Sequence, residues 1–232
     1  MRISFLELIG HSIFVQDWDF ILKNNWHKIR TDGYEKVVIS QRTAFFTKNK
    51  LNEYELHEVS NPDNESLKKC LLDTLVTAST DPDVKAIVEA IEIPQNNDWT
   101  GIEYKEHFFA SGHMIFSSMS FLYDVLPDPR VIFFGEEHTI PLRAYTNGYR
   151  IFSIKSDILY TLHKTPEYLC EIQKTDWKNY QNLNHSSRVY NSYGNFFEKI
   201  LKGEELGSFG AKDQESYLQY IKAMGVDYRN MI

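Results

Sequence analysis

Cysteine is almost missing from this chain. Only Cys70 and Cys170 occur among its 232 residues, far apart and at no metal-binding spacing. A disulfide scaffold or zinc module is therefore not encoded; reduced thiols in a cytoplasmic protein are expected, with one disulfide between the two left open. Long apolar runs are also missing: nowhere do eighteen such residues follow one another, so no bilayer span is expected. The run from Ile3 to Val15 is broken by Glu7 and His11, and no small-residue cleavage site follows it, which argues against a signal peptide. An excess of positive charge is lacking too. Lys and Arg total 25 against 32 Asp and Glu, a net charge of -7 with a pI near 5.6, which excludes bulk attraction to nucleic acid or an anionic membrane surface. No internal repeat is present.

What remains is the composition of a globular domain, 42% hydrophobic and 25% charged, long enough for one sizeable core. Aromatic residues reach 14%; such rings fill cores and line pockets for flat or sugar-like ligands. Along the chain, Ile3 to Val15 reads as one strand covered on both faces. A helix follows from about Phe20, capped by Asp17 or Asp19, and then a strand over Lys36 to Ser40. Residues 41–66 read as polar and irregular, and Glu65 to Ala78 as helix-like after the Asn61-Pro62-Asp63-Asn64 turn. Val84 to Ile93 fits either helix or strand and ends at Pro94.

The second half is more regular. Phe108 to Phe116 alternates small and apolar residues, Ser117 to Val125 reads as a short helix, and Val131 to Phe134 as a buried strand. Gly135-Glu136-Glu137-His138 opens a helix that Asn147-Gly148 closes; Ile151 to Ile154 and Ile158 to Leu162 are further strands. Strands alternating with helices predict an α/β domain with a mixed, mostly parallel sheet flanked by helices, whose ligands lie beyond the strands' carboxyl ends. The expected layout is a single domain over 1–232, with a sheet core in 1–165, a polar insertion at about 41–100 and a helical extension over 166–232. Two adjacent glutamates after a buried strand are costly to hold together unless something cationic or hydroxylated uses them.

The run Phe133-Phe134-Gly135-Glu136-Glu137, followed by Arg143, Thr146-Asn147-Gly148-Tyr149 and Phe152, resembles the GlcNAc-transferase family of GT-A glycosyltransferases, whose best-known members modify a hydroxyproline on a ubiquitin-ligase adaptor. Ala110-Ser111-Gly112 and Asp128-Pro129 occupy the places of that family's small-residue strand and Asp-Pro. Phe14-Val15 with Asp17-Trp18-Asp19 looks like its F-V-x-x-W-D element, and Leu206-Gly207 through Tyr217 to Gly225-Val226-Asp227-Tyr228 resembles its closing signature.

Two departures stand out. The family's Asp-x-His, which holds a divalent cation against the sugar diphosphate, is Ile9-Gly10-His11 here; Glu7, on the same face of the expected strand, offers an alternative oxygen ligand. The second metal-binding histidine of the family falls at Thr161 in strict register, or at His163 after a two-residue slip. Relatives also carry about a hundred residues before Asp-x-His that grip the nucleotide, so the chain is expected to lack that amino-terminal half and to need a second polypeptide or another donor-binding mode.

The resemblance implies a cytoplasmic transferase of a sugar from a nucleotide-sugar donor, a UDP-sugar by family habit, to a hydroxyl on a protein, a glycan or a modified DNA base. The implied cofactor is a divalent cation, manganese or magnesium, held by His11 and His163. Glu136 and Glu137 are the candidate catalytic acids, with one serving as base if the reaction inverts. Trp18, Asp19, Ser111, Gly112, His113 and Arg143 are candidate substrate-binding residues; Gly112 permits close approach of a ligand. Each has a plainer reading: His11 satisfied within a strand, the glutamates as a helix-start pair favoured by the dipole, Arg143 as a structural ion-pair partner, Trp18 as core. At the level of function the alternative is a non-catalytic partner subunit or decayed relative. A hydrolase is a distant third, because adjacent glutamates rarely flank a substrate from opposite sides.

Overall fold

The computed structural model describes residues 4–8, 12–41, 43–48, 54–57, 100–108, 110–112, 114–126, 128, 136–162, 199, 204 and 206–223. Its elements are β1 (Ser4–Leu8), β2 (Ser12–Phe14), α1 (Trp18–Thr31), β3 (Val37–Ser40), β4 (Ala44–Lys48), β5 (Tyr54–His57), β6 (Tyr104–His107), β7 (Met114–Ser118), α2 (Met119–Asp124), α3 (Glu136–Thr146), β8 (Arg150–Ile154), β9 (Leu159–Leu162) and α4 (Gln214–Ala223). They form a five-stranded sheet in the order β1-β7-β3-β8-β6 and a four-stranded sheet in the order β2-β9-β4-β5.

The mixed α/β class is as expected; the prevalence of parallel pairing is not. Among the described residues only β3–β8 and β4–β9 run parallel, and the other strand pairs are antiparallel. Of the antiparallel pairs only β4–β5 joins strands that follow one another closely in the chain, as a short connection requires; β1, β2, β6 and β7 pair with strands distant in sequence, whose direction the alternation of elements does not set. The single opening strand is corrected as well. Its apolar run divides into β1, which pairs with β7 in the larger sheet, and β2, which pairs with β9 in the smaller one, so a continuous alternation no longer sets Glu7 and His11 on one face. The irregular reading of 41–66 also fails in part, because Ala44–Lys48 and Tyr54–His57 are the paired strands β4 and β5. The expected elements at 61–99, 131–134 and 164–198 lie outside the described residues.

β3 sits at the centre of the larger sheet, and all four of its residues are buried, as the unbroken apolar run requires of a strand covered on both faces. On one face, Leu22, Trp26 and Ile29, spaced along one side of α1, pack on Val37, Ile39, Met114, Phe116, Phe152 and Ile154. On the other, Phe121 and Val125 from α2 and its end, with Ile140 and Ala144 from α3, pack on Val38, Ile115 and Ile151. Each such side chain contributes about 1.5–3 kcal/mol on burial, so Leu22→Ala would cost about 2–5 kcal/mol.

Two helix ends shape the site. The expected aspartate cap of α1 takes an unexpected form: Asp17 is the cap residue, but with φ 57 it is left-handed and its carboxylate makes no capping bond. Asp tolerates that region, at a cost. The close of α3 follows expectation. Gly148 adopts φ +83 and lets the Tyr149 N–H bond back to the Ala144 carbonyl at 2.9 Å, which turns the chain straight into β8.

Candidate active site

The parallel pair β3 and β8 points its carboxyl ends the same way, at Ser40 and Ile154. β7 is antiparallel to β3 with Ser40 opposite Ile115, so the Ser111–Met114 turn that precedes β7 lies at this end. β1 pairs Leu8 with Met114, which brings the exit of β1, toward His11, to the same place. α3 leads through a tight turn into β8 and packs on it. Its eleven residues span about 16 Å, close to the length of five strand residues, so its first turn, Glu136–Glu137, stands level with the carboxyl end of β8. α1 runs back along the opposite face to feed β3, placing Asp17, Trp18 and Asp19 at that end too. Open α/β sheets bind their ligands outside the carboxyl ends of the strands.

The two sheets meet here as well. Ser12, immediately after His11, pairs with Thr161, two residues before His163. The chain enters β2 from His11 and leaves β9 toward His163 at one end of the ladder. His11, His113 and His163, and the side chains of Glu136 and Glu137, lie outside the described residues. Among the described residues, no group of three or more His, Cys, Asp and Glu could hold a metal ion.

The remaining candidates have defined surroundings. Ser111 is buried, and its N–H donates to the Ser40 hydroxyl at 2.8 Å; Gly112 beside it is exposed. The Met114 N–H closes the turn on the Ser111 carbonyl at 3.3 Å. The Trp18 ring lies against Phe14, centroids 4.3 Å apart, and packs on the core under α1. Asp19 is exposed and ion-paired with Lys23 at 2.9 Å; the bond from that lysine holds its carboxyl below the usual value. Arg143 is 1% exposed, lies roughly 10 Å down the helix axis from Glu136, and donates from Nη1 to the Phe209 carbonyl at 3.3 Å. It therefore clasps the segment before α4, and the Lys212 N–H to Thr146 Oγ1 bond at 3.2 Å adds a second tie.

Sequence reasoning passed over three residues at this end. Gln41 finishes β8 by accepting the Ile154 N–H at 3.0 Å and donating to the Ser156 carbonyl at 3.0 Å. His107 and Ser153, both buried, meet at 3.0 Å beside the Ser40 carbonyl. The available signal was polar residues in otherwise apolar strands, since a buried polar group is retained only where it finds partners.

A mixed α/β protein with two mixed sheets flanked by helices is the class this arrangement defines. The family model described as Glycosyltransferase (GlcNAc) matches residues 4–193, and the chain belongs to that family. It is a glycosyltransferase, an enzyme. No curated protein matches the sequence. Among the described residues, no helix is long and apolar enough to cross a membrane.

Proposed function

We propose that the protein transfers an N-acetylglucosamine-type sugar from a UDP-sugar to an acceptor hydroxyl, at the carboxyl ends of β3 and β8. The observation that carries this reading is the approach of four separate stretches, the exits of β1 and β9, the Ser111–Gly112 turn and the first turn of α3, to that one end in a chain of the glycosyltransferase family. One of Glu136 and Glu137 accepts the acceptor's proton while the other holds a sugar hydroxyl. They open α3, where the helix dipole favours the carboxylate form, which is the form a base needs. Pro141 has no N–H to give to the carbonyl of Glu137, which loosens the helix ladder just where these acids stand.

The expected donors, the imidazoles of His11 and His163, are of a kind that manganese accepts; Glu7, offered beside His11 on a single strand, loses that support because β1 and β2 lie in different sheets. Bound there, the ion would neutralise charge developing on the leaving diphosphate. A content of two cysteines in 232 residues is consistent with a cytoplasmic setting.

Calorimetry of UDP-N-acetylglucosamine binding with and without manganese, coupled to donor hydrolysis, tests the proposal. Metal-dependent binding and slow hydrolysis are expected. Absence of binding under both conditions overturns it; binding without turnover favours the alternative of a partner subunit, for which Ile9 in the family's Asp position speaks.

A further inference from the structure

At the carboxyl end of β3, one residue holds both backbone polar groups of the turn beside the site. The Ser40 hydroxyl accepts the Ser111 N–H at 2.8 Å and donates to the Ser111 carbonyl at 3.5 Å, a carbonyl that also accepts the Met114 N–H at 3.3 Å, so one side chain engages both backbone groups of Ser111. The Ser40 carbonyl is held in its turn from two other strands. His107 Nε2, from the end of β6, lies 3.0 Å from it; the Ser153 hydroxyl, from β8, lies 3.4 Å from it and 3.0 Å from Nε2. A carbonyl only accepts, so Nε2 is assigned as the protonated nitrogen and Ser153 as a shared partner.

Burial of Ser40 is complete, and His107, Ser111 and Ser153 are 6%, 1% and 2% exposed. Their neighbours on this face, Val38, Ile115 and Ile151, are apolar core, and an apolar residue at 40, 107 or 153 would bury equally well. A satisfied polar network instead buys stiffness at one geometry, and this one meets at Ser40, whose carbonyl is held by His107 and Ser153 and whose hydroxyl engages Ser111. Binding sites need such supporting residues to hold the contacting backbone within fractions of an ångström.

The geometry points to His107 as a positioning residue: with Ser40 and Ser153 it fixes the Ser111–Gly112 turn in the form that receives the sugar of the donor. This deepens the proposed function and rests on it. His107 touches no reacting atom; it acts through Ser40.

Two readouts on the full chain separate this inference from the reading beneath it. The first needs no activity: amide hydrogen exchange at Ser111 and Met114. His107→Leu and Ser40→Ala should speed exchange there by about tenfold or more, while His107→Gln, whose amide can still donate to the Ser40 carbonyl, should stay near wild type. The second is donor hydrolysis with UDP-N-acetylglucosamine and manganese. The same two variants should raise KM about fivefold or more with kcat within about twofold, the mark of a lost binding contact, and His107→Gln should restore KM. Unchanged exchange overturns the network. Faster exchange with unchanged KM overturns its role toward the sugar. A wild-type protein that neither binds nor hydrolyses the donor, yet shows the exchange pattern, overturns the proposed function and leaves the network standing. The Ser153→Ala variant, a smaller lesion, guards against loss of fold: it should shift both readouts in the same direction and by less.

Discussion

Ser12 stands opposite Thr161 in the antiparallel β2–β9 ladder, and the hydroxyl of the buried Thr161 meets the hydroxyl of Thr43 at 2.9 Å. Of the two positions offered for the second metal-binding residue, 161 is thus occupied with holding β4 and β9 together. His163→Ala and His11→Ala should each abolish manganese stimulation of donor hydrolysis, measured by metal titration. Thr161→Val should leave the stimulation in place and lower the melting temperature, by the roughly 0.5–1.5 kcal/mol of a hydrogen bond or more if Thr43 is left unsatisfied. Stimulation that survives His163→Ala but not Thr161→Val would reverse the assignment.

The paired acids make a separable prediction. Positioned proton transfer contributes about 10²–10⁴-fold, so one of Glu136→Gln and Glu137→Gln should lower kcat by that range, and the other should act mainly on KM. Since these residues occupy the first turn of α3, each change also removes a favourable dipole interaction, of about 0.3–1 kcal/mol. Melting temperature should therefore move little while turnover collapses in one variant, checked by initial rates at saturating and limiting donor.

Much of this was legible in the sequence, and for local reasons. The strand expected over Lys36 to Ser40 is β3; of Phe20, Ile21, Leu22 and Trp26, whose spacing marked the helix, Leu22 and Trp26 are core while Phe20 is exposed; and Gly148 closes α3 with the positive φ that a helix end demands. The parting of Ile3–Val15 into two sheets was not legible, because hydrophobicity reports burial and says nothing of which strand is the partner. β4 and β5 escaped notice for a related reason: Tyr54–His57 carries Glu55 and His57, and a strand that pairs on one side needs no apolar alternation. The family motif singled out Ser111 and Gly112 but as part of a small-residue strand, where the structure has the turn before β7; the buried residues around it, Ser40, His107 and Ser153, come from strands far apart in sequence and meet through the β3–β8–β6 order.

Arg143 illustrates a residue whose motif and whose contacts point in different directions. Its motif position implies substrate; its bond to the Phe209 carbonyl ties the segment before α4 to the helix. Arg143→Met keeps much of the stem's packing and removes the charged donor, at a cost of about 1.5–3 kcal/mol. The melting temperature should fall, and limited proteolysis should open the chain near Phe209, with donor KM unchanged in the protein that remains folded. A raised KM without new cleavage would return Arg143 to the substrate.

At the amino end of β8, far from the candidate site, a cluster links stability to pH at both extremes. Tyr149 is buried and donates to Asp124 Oδ2 at 2.8 Å, and Lys36 Nζ lies 3.0 Å from the same oxygen. Burial, with the Asp124 carboxylate adding to it, pushes the Tyr149 phenol up to about 12. For Asp124, burial alone would raise the pKa, but the bonds from Lys36 and Tyr149 outweigh it and hold the carboxyl below its ordinary 3.8. A depressed carboxyl contributes stability that is present above 3.8 and lost as pH falls through the folded value. A raised phenol contributes stability that is present below 10.0 and lost as pH climbs toward about 12. Asp124→Asn should therefore melt below wild type at neutral pH, the gap closing in acid as Asp124 of the wild type is protonated. Asp124 and Lys36 are 35% and 45% exposed, so solvent screening keeps the neutral-pH difference under about 1 kcal/mol. Tyr104 and Tyr217 are raised as well, so in an absorbance titration of phenolate Tyr149→Phe should remove one of several late-titrating tyrosines, and Asp124→Asn should bring one of them down in pH. A melting gap that stays constant from neutral into acid would mean that Asp124 is not the linked group.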